Sequence, residues 1–138
     1  MTTVIATLDG IYVDTLCDYH VPFRLKKHTR IRDSVFAGAG DMDELSRYFA
    51  WISDGGDQPD IGPELGLDIL EVCAEGIFIW GRKFVRLQVQ EKAYAVGSGS
   101  QYAMGALAAG CTPKQAMAIA AKYDFGTGKQ VEFARLRK

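Results

Sequence analysis

Met1-Thr2-Thr3-Val4 puts a hydroxyl beside an α-amino position, and that pair is the part of the sequence best equipped for chemistry. Initiator methionine is normally removed when the next residue is small, which would leave Thr2 with a free amine next to its own hydroxyl. An α-amine has an ordinary pKa of about 7.7 to 8.0. Its neutral form can take the hydroxyl proton, directly or through a water, while the oxygen attacks a carbonyl. That chemistry would be nucleophilic attack on a carbonyl carbon, with an ester on Thr2 as the intermediate. Many chains begin Met-Thr for no catalytic reason, so the partners have to come from elsewhere in the sequence.

Other reactive side chains offer less. His20 and His28 have no Cys, Asp and His neighbours at ligand spacing, so they read as surface or core histidines and no metal is expected. Cys17, Cys73 and Cys111 are far apart and odd in number, which fits neither a disulfide framework nor a zinc site and suggests three reduced, mostly packed thiols. Asp41 and Asp43 suit the first turn of a helix, where negative charge meets the helix dipole, better than paired-carboxylate glycoside chemistry.

The elements that would hold these residues can be read from patterning. Thr2 to Leu8 is rich in β-branched residues, Asp9-Gly10 is a hairpin turn signal, and Ile11 to Val13 resumes the strand. After a less regular stretch containing Pro22, Ser34 to Ala39 reads as a buried strand that ends in Ala37-Gly38-Ala39-Gly40-Asp41, with Asp41 as a helix cap. Leu45, Tyr48, Phe49 and Ile52 then fall on one helical face. Asp54 to Gly66 has four glycines and two prolines among acidic residues, which predicts a mobile loop. Ile69 to Ala74, Ile77 to Trp80, Phe84 to Val89 and Ala93 to Val96 predict an antiparallel meander of four strands. An alanine-rich helix stopped by Gly110 and a second helix with a Thr112-Pro113-Lys114-Gln115 capping box follow. Tyr123 to Lys129 is a turn, and Gln130 to Leu136 the last strand. Two groups of antiparallel strands with helices outside make a layered α+β sandwich, in one domain over 1–138.

Composition narrows the function. With 48% hydrophobic and 24% charged residues the chain fits a soluble globular domain. A formal charge of −1 with no long basic run argues against nucleic acid. No apolar run approaches a membrane span, and the start lacks a basic segment followed by an apolar one, so a cytosolic address is expected.

Tyr94-Ala95-Val96-Gly97-Ser98-Gly99-Ser100-Gln101-Tyr102-Ala103, followed by Gly105, resembles the Gly-Ser-Gly segment of proteasome β-subunits and the bacterial HslV peptidase, where a strand likewise leads into a helix. Tyr123-Asp124-Phe125-Gly126-Thr127-Gly128-Lys129 is similar to that family's Arg-Asp-x-x-Ser-Gly-Gly turn. Leu25-Lys26-Lys27-His28 and Ala37-Gly38-Ala39-Gly40-Asp41 extend the resemblance through the middle of the chain. It implies a four-layer αββα N-terminal-nucleophile sandwich, with Thr2 as nucleophile and Lys27 as the ammonium that lowers the hydroxyl pKa. It also implies Asp14 paired with that lysine, and the Gly40 N–H, or Gly38 if the register shifts, in the oxyanion hole. Ser98 would stand beside the α-amine, supported by Asp124 and by Thr127, which keeps a hydroxyl at the family's second serine position. Two alternatives remain open in the sequence. Arg30 could take the lysine position, although Lys27 better keeps the spacing to the glycine loop, and Asp18 preserves the spacing from Thr2, although Asp14-Thr15 better imitates the family's Asp-Ser step.

The family is longer, with a second long helix where this chain has the loop 54–66, a shortening similar to compact proteasome-like proteins of phage and prophage. The resemblance implies peptide or unfolded-protein substrates, no cofactor, a homo-oligomer with a ring as one form, and a bacterial host cytoplasm, and the short loop leaves an ATP-driven unfoldase partner open. Val21, Phe23 and Met42 hint at apolar substrate side chains. The competing functions are a silent assembly protein that kept the sandwich and an amidase for non-peptide amides.

Overall fold

The computed structural model describes residues 2–18, 21–61, 67–81 and 83–137, the side chain of Asp18 excepted. Met1, His20, the Asp18 side chain and the 62–66 part of the expected loop lie outside the described residues. In chain order the elements are β1 (Thr3–Thr7), β2 (Gly10–Asp14), β3 (Leu16–Asp18), β4 (Pro22–Arg24), β5 (His28–Ile31), β6 (Ser34–Ala39) and α1 (Met42–Asp54). After these come β7 (Asp68–Cys73), β8 (Gly76–Trp80), β9 (Arg86–Val89), β10 (Ala93–Gly97), α2 (Ser100–Ala108), α3 (Pro113–Tyr123) and β11 (Val131–Arg135).

Two antiparallel sheets carry the fold, one ordered β10-β1-β2-β11 and the other β5-β6-β7-β8-β9, with β3 and β4 as a separate hairpin. Side chains alternate across a strand, so Val4, Ala6, Ile11 and Val13 point at the second sheet and meet Val35, Ala37, Leu70, Val72 and Ile77 in an inter-sheet core. Ile5 and Ala95 point the other way and pack on Ala103, Ala106, Ala116, Met117 and Ala120 of α2 and α3. Leu45 and Tyr48 of α1 cover the opposite outer face with Phe36, Ile69 and Leu67. Helices, sheet, sheet and helix are the four layers that the resemblance implies.

The helices begin as their sequences dictate. Asp41 Oδ1 accepts the Glu44 N–H at 3.0 Å, and Thr112 and Gln115 complete a reciprocal capping box at α3. The small residues Ala103, Ala106, Ala116 and Ala120 let α2 and α3 approach closely.

Three expectations need correction. The turn of the first hairpin is Leu8-Asp9, and Gly10 is already the first residue of β2. Glycine is required there because a Cβ would lie 2.2 Å from the Ala134 carbonyl oxygen of β11. The meander has three strands, since β10 leaves it and pairs with β1, Gly97 opposite Thr3. That placement buries both of its faces, Val96 between the sheets and Ala95 under the helices. The stretch expected to be irregular before Ser34 contains β3, β4 and β5. Among the described residues no helix is long and apolar enough to cross a membrane, and Cys17, Cys73 and Cys111 are free thiols, the first two buried.

Candidate active site

The two-residue turn fixes Val4 opposite Val13, so the next pair outward is Thr3 and Asp14. Asp14, wholly buried, uses that position to accept the Thr3 N–H on Oδ1 at 2.9 Å. Its Oδ2 accepts the Gly128 N–H at 3.0 Å, the Leu16 N–H at 3.3 Å and the Lys27 ammonium at 3.2 Å. A buried carboxylate is tolerable only with such a set of partners. Lys27, between β4 and β5, is 1% exposed, and its Nζ also donates to Thr2 Oγ1 at 2.7 Å. Burial pushes the Lys27 pKa below its ordinary value, and the attraction of Asp14 opposes that shift. Lys27 is therefore withdrawn from solvent although Arg24, Lys26, Arg30 and Arg32 flank it in the sequence. Arg30, the alternative at the lysine position, donates from the surface to the Arg135 carbonyl at 2.6 Å.

Strand alternation assigns the two threonines to different layers. Thr2 shares the face of Val4 and so points between the sheets at their open end, where Lys27 meets it. Thr3 shares the face of Ile5 and points toward the helices, where its hydroxyl lies 2.7 Å from Thr127 Oγ1. The sequence reading missed Thr3. Its pairing with Asp14 follows from the hairpin register once the turn is placed correctly.

Gly97-Ser98-Gly99 closes the other side of Thr2. Gly97 has φ +101°, and a Cβ there would lie 2.0 Å from the Thr2 carbonyl oxygen, so only glycine lets β10 run this close. A Cβ on Gly99 would strike Thr3 Oγ1 at 2.1 Å. Ser98 is exposed and its Oγ lies 3.5 Å from the Thr2 carbonyl oxygen while donating to Asp124 Oδ2 at 2.5 Å. Thr127 Oγ1 donates to the same Asp124 oxygen at 2.6 Å. Partial burial would raise the Asp124 pKa, but the Ser98 and Thr127 hydrogen bonds outweigh it and hold the carboxyl below its ordinary value. The chain Ser98, Asp124, Thr127, Thr3 ties the turn after α3 to the N-terminal strand.

Gly38 is inside the β6–β7 ladder opposite Ile69, and a Cβ on it would strike Leu45 Cδ1 at 2.4 Å. Gly40 comes after the ladder, with φ +134°. The Cβ of its neighbour Ala39 is 3.1 Å from where a Gly97 Cβ would stand, which puts the end of β6 beside the Gly97 and Thr2 backbone. Of the apolar candidates, Val21 and Phe23 are exposed, whereas Met42 packs against the α1 core. His28 Nε2 faces Glu132 Oε1 at 3.4 Å.

No protein-family model and no curated protein matches the sequence. Solved structures do match over nearly the whole chain. The crystal structure of eukaryotic HslV from Trypanosoma brucei has a TM-score of 0.71 at 17% identity, covering 99% of both chains. Thiobacillus denitrificans BPH in complex with epoxomicin has a TM-score of 0.68 at 19% identity, covering 99% of both chains. A further structure of Thiobacillus denitrificans BPH has a TM-score of 0.67 at 19% identity, over 99% of this chain and 98% of that one. The chain therefore has the αββα fold of HslV and the proteasome-β-like threonine proteases, the group its Gly-Ser-Gly and Asp-x-x-Thr-Gly segments resemble.

Proposed function

We propose that the chain is a threonine-type peptidase that cleaves peptide bonds through an acyl-enzyme on Thr2 after Met1 is removed. The observation that carries this reading is the 2.7 Å bond from the buried Lys27 ammonium to Thr2 Oγ1, with Asp14 3.2 Å behind it. An isolated buried lysine is costly, and this one is aimed at a hydroxyl whose developing negative charge it would stabilise.

In the proposed cycle the freed α-amine of Thr2 takes the hydroxyl proton as Oγ1 bonds to the substrate carbonyl carbon. Lys27 holds the negative charge on Oγ1, and the Gly40 N–H is the proposed donor to the oxyanion. The tetrahedral intermediate collapses, the C–N bond breaks, and the leaving amine takes its proton from the α-ammonium. A water deprotonated by the same amine then cleaves the ester, which releases the acid and restores Thr2. Ser98, with Asp124 and Thr127 behind it, orients the amine. Asp14 acts through Lys27 and is a positioning residue. Peptides or unfolded segments are the proposed substrates, and a homo-oligomer in the cytosol is the proposed form, both supported by resemblance to HslV and to BPH, which binds epoxomicin.

The test is hydrolysis of a library of internally quenched peptides by protein whose mass lacks methionine. Cleavage is expected, with Thr2→Ala reducing it to background. Processed protein that cleaves nothing and takes up no epoxomicin would favour the silent assembly reading.

A further inference from the structure

A cavity of about 240 Å³ opens between the β3–β4 hairpin and the segment that follows the Asp124 turn. It has roughly eight times the ~30 Å³ that one water occupies in the liquid, room for one large side chain. Leu16, Pro22 and Phe23 form apolar walls, Gly128 supplies a wall without a side chain, and Arg24 and Lys129 stand at the rim. A Cβ on Gly128 would lie 2.7 Å from Leu16 Cβ, so the glycine sets how closely the two segments approach. Phe23 is 43% exposed, and Arg24 and Lys129 are both exposed. Among the described residues neither cation takes part in an ion pair.

The position of this cavity follows from the proton transfers. The leaving nitrogen must receive its proton from the α-amine of Thr2, so the part of the substrate beyond the scissile bond departs on the amine's side. Ser98, whose Oγ lies 3.5 Å from the Thr2 carbonyl oxygen, is the proposed neighbour of that amine, and the turn that begins at its partner Asp124 runs through Thr127 to Gly128, the cavity wall. Gly128 also reaches the positioning residue behind Lys27, donating its N–H to Asp14 Oδ2 at 3.0 Å.

We infer that this cavity is the subsite for the leaving half of the peptide, selecting a large apolar residue immediately after the scissile bond and an acidic residue next. The inference rests on the peptidase reading. The apolar walls provide the first preference and the Arg24 and Lys129 pair the second.

Three quenched peptides test it, identical before the bond and carrying Leu-Asp, Leu-Lys or Ser-Asp after it, beside a reporter amide that has only aminomethylcoumarin there. Met1-free protein is expected to show kcat/KM about tenfold higher for Leu-Asp than for Ser-Asp, the scale of an apolar pocket's discrimination. Leu-Asp is expected to exceed Leu-Lys only about threefold, because solvent screens the exposed charges. Phe23→Ser should lower the first ratio, and Lys129→Glu, which leaves only Arg24 to oppose it, should abolish the second. Equal rates on all three peptides while the reporter is cleaved would overturn the subsite and leave the peptidase standing. If neither the reporter nor any peptide is cleaved, the peptidase reading fails and the subsite fails with it.

Discussion

Lys27 Nζ lies 2.7 Å from Thr2 Oγ1, and both residues are buried at the open end of the sandwich. The ammonium has two neighbours of opposite consequence, a hydroxyl that gains from its charge and the Asp14 carboxylate that neutralises it.

Removing either side of the Lys27–Asp14 pair should therefore give different signatures. Lys27→Met deletes a buried charge whose partner keeps three backbone N–H donors. It should lower kcat by about 10²–10³, as loss of one transition-state donor does, with little change in Tm. Asp14→Asn leaves the ammonium uncompensated and should cost about 3–5 kcal/mol. Urea unfolding and single-turnover kinetics on the two variants separate these effects.

Activity should follow a bell in pH. The rising limb belongs to deprotonation of the Thr2 amine, expected near its ordinary value of about 8. The falling limb belongs to Lys27, which burial brings below its ordinary 10.5. Because the folded pKa of Lys27 lies below the unfolded one, its ionised form weakens the fold, and that penalty disappears as pH rises from the folded value toward 10.5. Asp124 is held below its ordinary 3.8, so it contributes stability above that value and loses it only as pH falls through its folded pKa. The kcat/KM profile, measured for wild type and for Lys27→Met, checks this. The variant should lose the alkaline limb.

Gly97→Ala should abolish hydrolysis. The new Cβ would overlap the Thr2 carbonyl oxygen, and φ +101° adds strain of about 1–2 kcal/mol. Peptide hydrolysis together with Tm is the measurement. A folded variant without activity is expected.

Thr127 should tolerate serine and not valine. Valine leaves Asp124 Oδ2 and Thr3 Oγ1 each one partner short, which should cost about 1–3 kcal/mol and roughly tenfold in kcat. Serine keeps both bonds. Denaturation and kcat of the pair distinguish loss of the hydroxyl from loss of volume.

Glu71 provides a control outside the site. Its buried carboxylate accepts from Ser34, Trp80 and Arg86 on the outer face of the five-stranded sheet, and these bonds outweigh burial to keep its pKa low. Glu71→Ala should cost about 2–3 kcal/mol while kcat of the folded protein stays unchanged.

The local features of this fold were legible in the residues. The Asp41 and Thr112 caps, the amphipathic face of α1 and the Gly110 stop all depend on neighbours within a turn or two. Which sheet β10 joins was not legible, because Ala93 to Val96 alternates equally well as the fourth strand of a meander. Only long-range packing of Val96 against Val4 separates the two arrangements. For the site, Thr2, Lys27, Asp14, Ser98, Asp124 and Thr127 came from ordered motifs, and hydrogen bonds link them with Thr3 in one network that runs from the buried Lys27 to the exposed Ser98. Thr3 was missed because its role depends on hairpin register, which a one-residue error in the turn concealed.

The mass of the intact protein after incubation with epoxomicin tests the central claim most directly. The expected value is that of the chain without Met1 plus one inhibitor, with no adduct on Thr2→Ala. A processed chain that stays unmodified, or an adduct that persists in Thr2→Ala, would contradict it.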